Sequence, residues 1–147
     1  MFRGVSTLNL DSKGRLAIPT KYRDELKASC ASKLVVTTGV DRCILIYPEP
    51  TWNTIERDLD ALSSQNPNVR KLQRLMTGYA SDVVMDGQGR VLLPPALRKH
   101  VNLKKEVALV GQGKKFELWS ESAWDAQWMD DAEQIELSDP VFEDLSF

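Results

Sequence analysis

Residues 11–23 read DSKGRLAIPTKYR, and 75 positions later residues 86–98 read DGQGRVLLPPALR. Five of the thirteen positions are identical, and the three residues between the arginine and the proline are apolar in both copies. Similarity at a fixed spacing is the signature of a duplicated structural unit, here of roughly 70 residues. The two copies meet near residues 77–82, where the first pattern ends and the second begins.

Each copy predicts the same series of elements. Apolar and β-branched residues on both sides of residues 11–14 predict a hairpin, whose tight turn uses Gly14 for a positive φ. Pro19 then opens a short helix, two apolar strands follow, and a helix with a tryptophan near its start completes the copy. The strands of the first copy are predicted at 5–10, 15–18, 33–38 and 43–47, and those of the second at 81–85, 90–93, 107–111 and 116–119.

The duplicated unit is too small to be stable by itself. About 70 residues seldom supply a sufficient core, but two copies in one chain can bury their apolar faces against each other. The sequence therefore predicts a single α+β fold, a barrel with pseudo-twofold symmetry formed by both halves and surrounded by amphipathic helices. We assign residues 1–80 to the first repeat with its linking helices, 81–129 to the second repeat, and 130–147 to an acidic tail.

The charge distribution is strongly asymmetric, although the formal net charge of the chain is only −2. Residues 1–115 contain all 19 basic residues and 11 acidic ones, which gives a net charge of +8. The charged residues of 116–147 are all acidic, which gives this segment a net charge of −10. A basic body of this kind is typical of proteins that bind nucleic acid or a membrane surface. An ordinary surface with a solubilising tail would give the same charges.

Several classes of protein are disfavoured. No apolar run approaches the roughly 18 residues of a membrane span, and no secretory signal follows Met1, so we expect a cytoplasmic protein. Cys30 and Cys43 are isolated thiols, which we expect to be buried and reduced. His100 is the only histidine, and no catalytic or metal-binding motif is present. We therefore expect neither an enzyme nor a cofactor, a metal ion or a small-molecule substrate.

The Asp-x-x-Gly-Arg motif is the best candidate for function. Asp11 can accept hydrogen bonds from backbone amides of the turn, and Arg15 can present its guanidinium to a phosphate or a guanine. An ion pair between the two residues that merely fixes the turn is at least as compatible with the spacing. The first turn carries Lys13 where the second has Gln88, so we expect the first copy to bind DNA and the second to support the fold.

Several motifs in order resemble the bacterial MraZ family from Met1 to about Trp128. They are Met-Phe-Arg-Gly at 1–4, the paired Asp-x-x-x-Arg motifs at 11–15 and 86–90, Ile-Pro at 18–19, Val-Gly-Gln at 110–112 and Phe-Glu-Leu-Trp at 116–119. The resemblance implies two AbrB-like swapped-hairpin halves. It also implies a transcriptional regulator of the division and cell wall gene cluster, a repressor in our interpretation, associated with the nucleoid. The implied partners are double-stranded DNA, as direct repeats in its own promoter, and further copies of the chain in a homo-oligomeric ring.

The predicted DNA contacts concentrate on the first turn. Arg15 would contact guanine, whereas the other predicted contacts would be mainly to phosphate. A ring-forming scaffold that binds another protein or RNA is the competing interpretation, and the acidic tail is either a solvated end or a shield over the basic surface. The candidate DNA-binding residues are Arg3, Lys13, Gly14, Arg15 and, as the weaker member because its copy could be buried, Arg90; Asp11, Asp86 and Gly89 are expected to hold the turns.

Overall fold

A six-stranded sheet and a separate two-stranded ribbon form the framework of the fold, in a computed structural model that describes all 147 residues. No helix combines the length and the apolar character that crossing a bilayer requires. The strands are β1 (Phe2–Asn9), β2 (Arg15–Ala17), β3 (Lys33–Thr38), β4 (Ile44–Pro48), β5 (Ser81–Val84), β6 (Arg90–Leu92), β7 (Glu106–Gly113) and β8 (Phe116–Ser120). The helices are α1 (Thr20–Cys30), α2 (Glu49–Asp60), α3 (Pro67–Met76), α4 (Pro95–His100) and α5 (Glu121–Gln134), with a short 3-10 helix at Pro140–Phe142.

The strands of the two halves are exchanged. The large sheet has the order β1-β7-β8-β4-β3-β5, and the ribbon pairs β2 with β6, all antiparallel. The strands β1 to β4 of the first half correspond in order to β5 to β8 of the second. If each strand is replaced by its counterpart, the same strand order is obtained in reverse. The pairings therefore have the pseudo-twofold symmetry that the repeat predicts, with its axis between β4 and β8 and through the centre of the ribbon.

The local hairpin predicted around the first turn is not formed. Asp11 N donates to Arg15 O at 3.1 Å and closes the turn, but β1 then pairs with β7 while β2 pairs with β6. Both strands thus find their partners in the other half of the chain. The predicted barrel is also not confirmed, because neither sheet closes on itself.

The central strands of the sheet, β3, β4 and β8, are buried on both faces. On one face, a cluster of 20 buried residues joins the sheet to Leu16 and Val91 of the ribbon, to Leu26 of α1 and to Leu97 of α4. On the other face, a smaller cluster contains Trp52 of α2 and residues of β3, β4, β7 and β8. The ribbon with α1 and α4 therefore forms one outer layer, and the remaining helices form the other.

Other features agree with the sequence in part. Cys30 and Cys43 are free and buried, as predicted. Trp52 of α2 is 3% exposed, whereas Trp128 of α5 is 47% exposed. This helix continues to Gln134, and almost every residue that follows it is exposed to solvent.

Candidate nucleic-acid interface

The carboxylate of Asp11 organises the first turn. Its Oδ1 accepts hydrogen bonds from the backbone amides of Lys13 and Arg15, each at 2.9 Å. Its Oδ2 accepts one from Arg15 Nε at 2.6 Å, so the ion pair considered from the sequence is present. The terminal nitrogens Nη1 and Nη2 of Arg15 make no hydrogen bond within the chain. The ion pair therefore orients the guanidinium and leaves its bidentate edge available to a ligand.

These hydrogen bonds favour the ionised form of the aspartate. The amide of Arg15 is the largest cause that lowers the pKa of Asp11, to about 2, and the Arg15 guanidinium and the Lys13 amide act in the same direction. In the second turn, the amide of Arg90 likewise lowers the pKa of Asp86. Both turns therefore depend on a charged aspartate at neutral pH.

The second turn repeats this geometry closely. Asp86 accepts hydrogen bonds from the amides of Gln88 and Arg90 at 2.9 Å and from Arg90 Nε at 3.0 Å. The side chain of Arg90 is 32% exposed, against 27% for Arg15. The second turn is therefore not buried against the first half, and Arg90 is as accessible as Arg15.

Each turn glycine is covered by an arginine from the other half. Gly14 and Gly89 both have φ of +77°, as the turn requires. A Cβ at Gly14 would lie 2.6 Å from Cζ of Arg98, and one at Gly89 would lie 2.1 Å from Nε of Arg23. Both positions thus need glycine for its φ, and a Cβ at either would also require the overlying arginine side chain to shift. The amide of Gly14 donates to Asp11 O at 3.0 Å, so this amide is already engaged within the turn.

The ribbon places both motif arginines on one face. Arg15 pairs with Leu92, and Ala17 pairs with Arg90, whereas Leu16 and Val91 pair with each other and point into the core. Side chains alternate between the two faces of a strand. The outward face therefore carries Arg15 and Ala17 of β2 and Arg90 and Leu92 of β6. Arg15 and Arg90 are diagonal neighbours across the ribbon, and the Cα atoms of such neighbours in an antiparallel pair are roughly 7–8 Å apart. The exchange of strands between the halves therefore brings the two turns to one surface.

Not all predicted site residues lie together. Lys13 is exposed within the first turn, beside Arg15. Arg3 pairs with Gln112 near the start of β1, and the seven residues from there to Leu10 span roughly 23 Å of extended chain. The structure therefore separates Arg3 from the turn that it was expected to assist.

Four basic residues near the turns were not predicted from the sequence. Arg23 and Arg98 end the two repeated segments and are one of their five identities, so the repeat contained a signal for them. Lys104 and Lys105 have no basic counterpart in the first copy, and only the fold brings them to the first turn. With Arg98 they line a cavity of about 350 Å³ that also borders Asp11 and Gly14.

Comparison with known proteins identifies the family. The family model described as "MraZ protein, putative antitoxin-like" matches the chain twice, at residues 1–75 and 76–144. The chain is 58% identical over 127 residues to a transcriptional regulator MraZ of Nitrosomonas eutropha, with 86% of each chain covered.

Two further relatives cover more of the chain. A transcriptional regulator MraZ of Thioalkalivibrio sulfidiphilus is 48% identical over 149 residues, with 99% of each chain covered. One from Escherichia coli is 51% identical over 142 residues, with 95% of this chain and 93% of that protein covered. These relatives are named as regulators and not as enzymes, in agreement with the prediction from the sequence. The duplicated turns, the exchanged strands and these similarities together show that the chain belongs to the MraZ family.

Proposed function

We propose that this protein is a DNA-binding transcriptional regulator whose β2–β6 ribbon enters the major groove. The observation that supports this most strongly is the position of Arg15 and Arg90 on one exposed face of a two-stranded ribbon. The major groove of B-DNA is about 12 Å wide and admits such a ribbon. The names of the relatives support a role in transcription.

The two arginines are suited to contact bases. Each is held by an aspartate through Nε, and the terminal nitrogens that remain match O6 and N7 of guanine. The roughly 7–8 Å between their Cα atoms is close to the distance that two successive base-pair steps span along the axis of B-DNA. Leu92 is 56% exposed beside Arg15 and offers an apolar contact to a thymine methyl group.

The other candidate residues have supporting roles. Lys13 would contact a phosphate beside the first turn, and Gly14 would give the turn the left-handed backbone that presents Lys13 and Arg15 to the DNA. Asp11, Asp86 and Gly89 would hold the turns in place. Arg3 would contact the DNA backbone away from the groove that the ribbon occupies, because it lies at the other end of β1.

A single ribbon makes few contacts, so we expect strong binding to require several copies of the chain. A homo-oligomeric ring that binds direct repeats would raise the effective concentration of each further ribbon. The family resemblance leads us to propose direct repeats in the protein's own promoter, repression of the division and cell wall genes, and a cytoplasmic, nucleoid-associated protein. These proposals extend the regulatory role and do not follow from the geometry of one chain.

A gel shift with the duplex from upstream of the protein's own gene tests this function. Unrelated duplex and RNA serve as competitors. We expect a shift that unrelated duplex displaces poorly and that RNA does not displace. Equal competition by unrelated duplex, or preferential competition by RNA, would contradict the assignment and favour the scaffold interpretation.

A further inference from the structure

Three cationic side chains from the second half of the chain surround the first turn. Arg98, Lys104 and Lys105 line the cavity of about 350 Å³ beside Asp11 and Gly14. The position of Lys105 is fixed by its backbone, since Leu10 N donates to Lys105 O at 2.9 Å immediately before the turn. We call this cavity with its three cations the first-turn cavity.

The first-turn cavity has an excess of positive charge. None of its three cations forms an ion pair within the chain, and Asp11 is the only carboxylate in its lining. Asp11 is already engaged by Arg15 and by two backbone amides. An anion that enters the cavity would therefore meet cations that have no carboxylate partner.

Lys104 has other neighbours as well. Its Nζ donates to Asn102 Oδ1 at 3.1 Å, and it borders a second cavity lined by three acids. Lys105 makes no side-chain hydrogen bond, and Arg98 uses only Nε, which donates to Leu93 O at 3.3 Å. Arg98 and Lys105 are therefore the two cations that are most available to a ligand. The acids beside Lys104 are Glu106, Glu121 and Asp125.

The second turn has an equivalent backbone but lacks the lysines. Met85 N donates to Ser32 O at 2.9 Å, as Leu10 N donates to Lys105 O, so Ser32 occupies the place of Lys105. Ala31 precedes it, where the other half has Lys104. Arg23 corresponds to Arg98, and Gln88 replaces Lys13 in the turn itself. The fold thus repeats the two turns but places the Lys104–Lys105 pair beside only one of them; beside the other, Lys33 begins β3 opposite Val84.

We propose that Arg98, Lys104 and Lys105 bind one backbone phosphate of DNA, next to the base contacted by Arg15. This inference rests on the proposed function, because it assumes that the ribbon occupies the major groove. The pseudo-symmetric backbone of the ribbon would admit a duplex in two orientations, although the side chains at its two ends differ. A phosphate site on one side only would favour one of these orientations, so each chain would bind its site with a defined polarity.

Two double variants with the same change in charge test the proposal. Lys104→Gln/Lys105→Gln neutralises the cavity lysines, and Lys114→Gln/Lys115→Gln neutralises two lysines at the opposite end of β7. DNA affinity is measured against salt concentration for the upstream duplex and for an unrelated one. The logarithm of the affinity falls linearly with the logarithm of the salt concentration. We expect the cavity variant to make this negative slope shallower by about 1 for each phosphate that it no longer neutralises. The cavity variant should also bind both duplexes more weakly, by the same factor. The Lys114→Gln/Lys115→Gln control should change the salt slope less than the cavity variant does.

Neutralising single phosphates identifies the position. Methylphosphonate is introduced at one phosphate at a time in the upstream duplex, and each duplex is titrated with wild-type protein and with the cavity variant. We expect one phosphate beside the Arg15 contact at which the wild type loses affinity and the variant does not. Equal slopes for both double variants, or equal sensitivity of the wild type and the cavity variant at every phosphate, would overturn the proposal.

The two hypotheses fail in different ways. If the wild type shows no preference for the upstream duplex, the proposed function fails. If that preference is present and Arg15→Ala removes it, but the cavity variant keeps the wild-type salt slope, only the phosphate site is overturned.

Discussion

Arg15 lies directly opposite Leu92 across the β2–β6 ribbon, with one residue from each half of the chain. The pair places a guanidinium and an exposed apolar side chain next to each other on the outward face. The pseudo-equivalent pair, Ala17 with Arg90, has a much smaller apolar side chain. The proposed DNA-binding surface is therefore built jointly by both halves, and its two ends are chemically different.

Leu92→Ala should remove the contact with a thymine methyl group. We expect a loss of roughly 1 kcal/mol for each engaged site, the scale of a buried methylene group. The measurement is a titration with duplexes in which uracil replaces one thymine at a time. Wild-type protein should bind one of these duplexes more weakly, and Leu92→Ala should be insensitive to that replacement. A wild type that is indifferent to every replacement would refute the contact.

Gly14→Ala should destabilise the fold. The left-handed backbone of a non-glycine residue costs roughly 1–2 kcal/mol, and the new Cβ would also displace the guanidinium of Arg98. Urea unfolding of the variant should show a lower midpoint than that of the wild type. Gly87→Ala is a matched control, because nothing lies within 4 Å of a Cβ at that position and its φ is not in the left-handed region. Equal losses in the two variants would contradict the combined cost assigned to the left-handed backbone and to the displaced guanidinium at Gly14.

The stability of the protein should fall in acid as the turn aspartates become protonated. The pKa of Asp11 is about 2 in the folded state, below the unfolded value of about 3.9. Its stabilising contribution is therefore complete above about pH 4 and is lost as the pH falls towards 2. Asp11→Asn should reduce the dependence of the unfolding midpoint on pH in this window. Asp130→Asn, at an exposed carboxylate that accepts no hydrogen bond, should leave the dependence unchanged.

Removal of residues 135–147 should leave DNA affinity unchanged. These residues are nearly all exposed, and no acidic group among them forms an ion pair with the basic body. DNA affinity against salt, measured for the full chain and for a chain that ends at Gln134, tests this expectation. Tighter binding by the shortened chain at low salt would instead show that the tail shields the basic surface.

The strands, the helices and the duplication could be predicted from the sequence because they depend on local patterns. The pairing of the strands could not be predicted from those patterns, and only the family resemblance implied an exchange between the halves. Leu16 and Ile18 would be buried whether β2 paired with β1 or with β6, so their apolar pattern fits a local hairpin equally well. The exchange of strands depends on contacts between distant parts of the chain, which periodicity does not reveal.

The candidate site was predictable to a similar degree. Asp11 and Arg15 lie within one turn, so their spacing was sufficient to predict the ion pair. Lys104 and Lys105 reach the first turn only through the pairing of β1 with β7, and no motif marks them. Arg3 is close to the turn in sequence, but the extended conformation of β1 carries it away.

The affinity of Arg15→Ala for the upstream duplex tests the central claim most directly. Asp11→Asn is measured in parallel, because it also breaks the ion pair but keeps the guanidinium. We expect Arg15→Ala to fold and assemble normally, yet to lose roughly 1–3 kcal/mol of binding free energy at each engaged site. Asp11→Asn should keep most of the affinity. Normal binding by an Arg15→Ala protein that folds and assembles would contradict the claim that Arg15 contacts DNA.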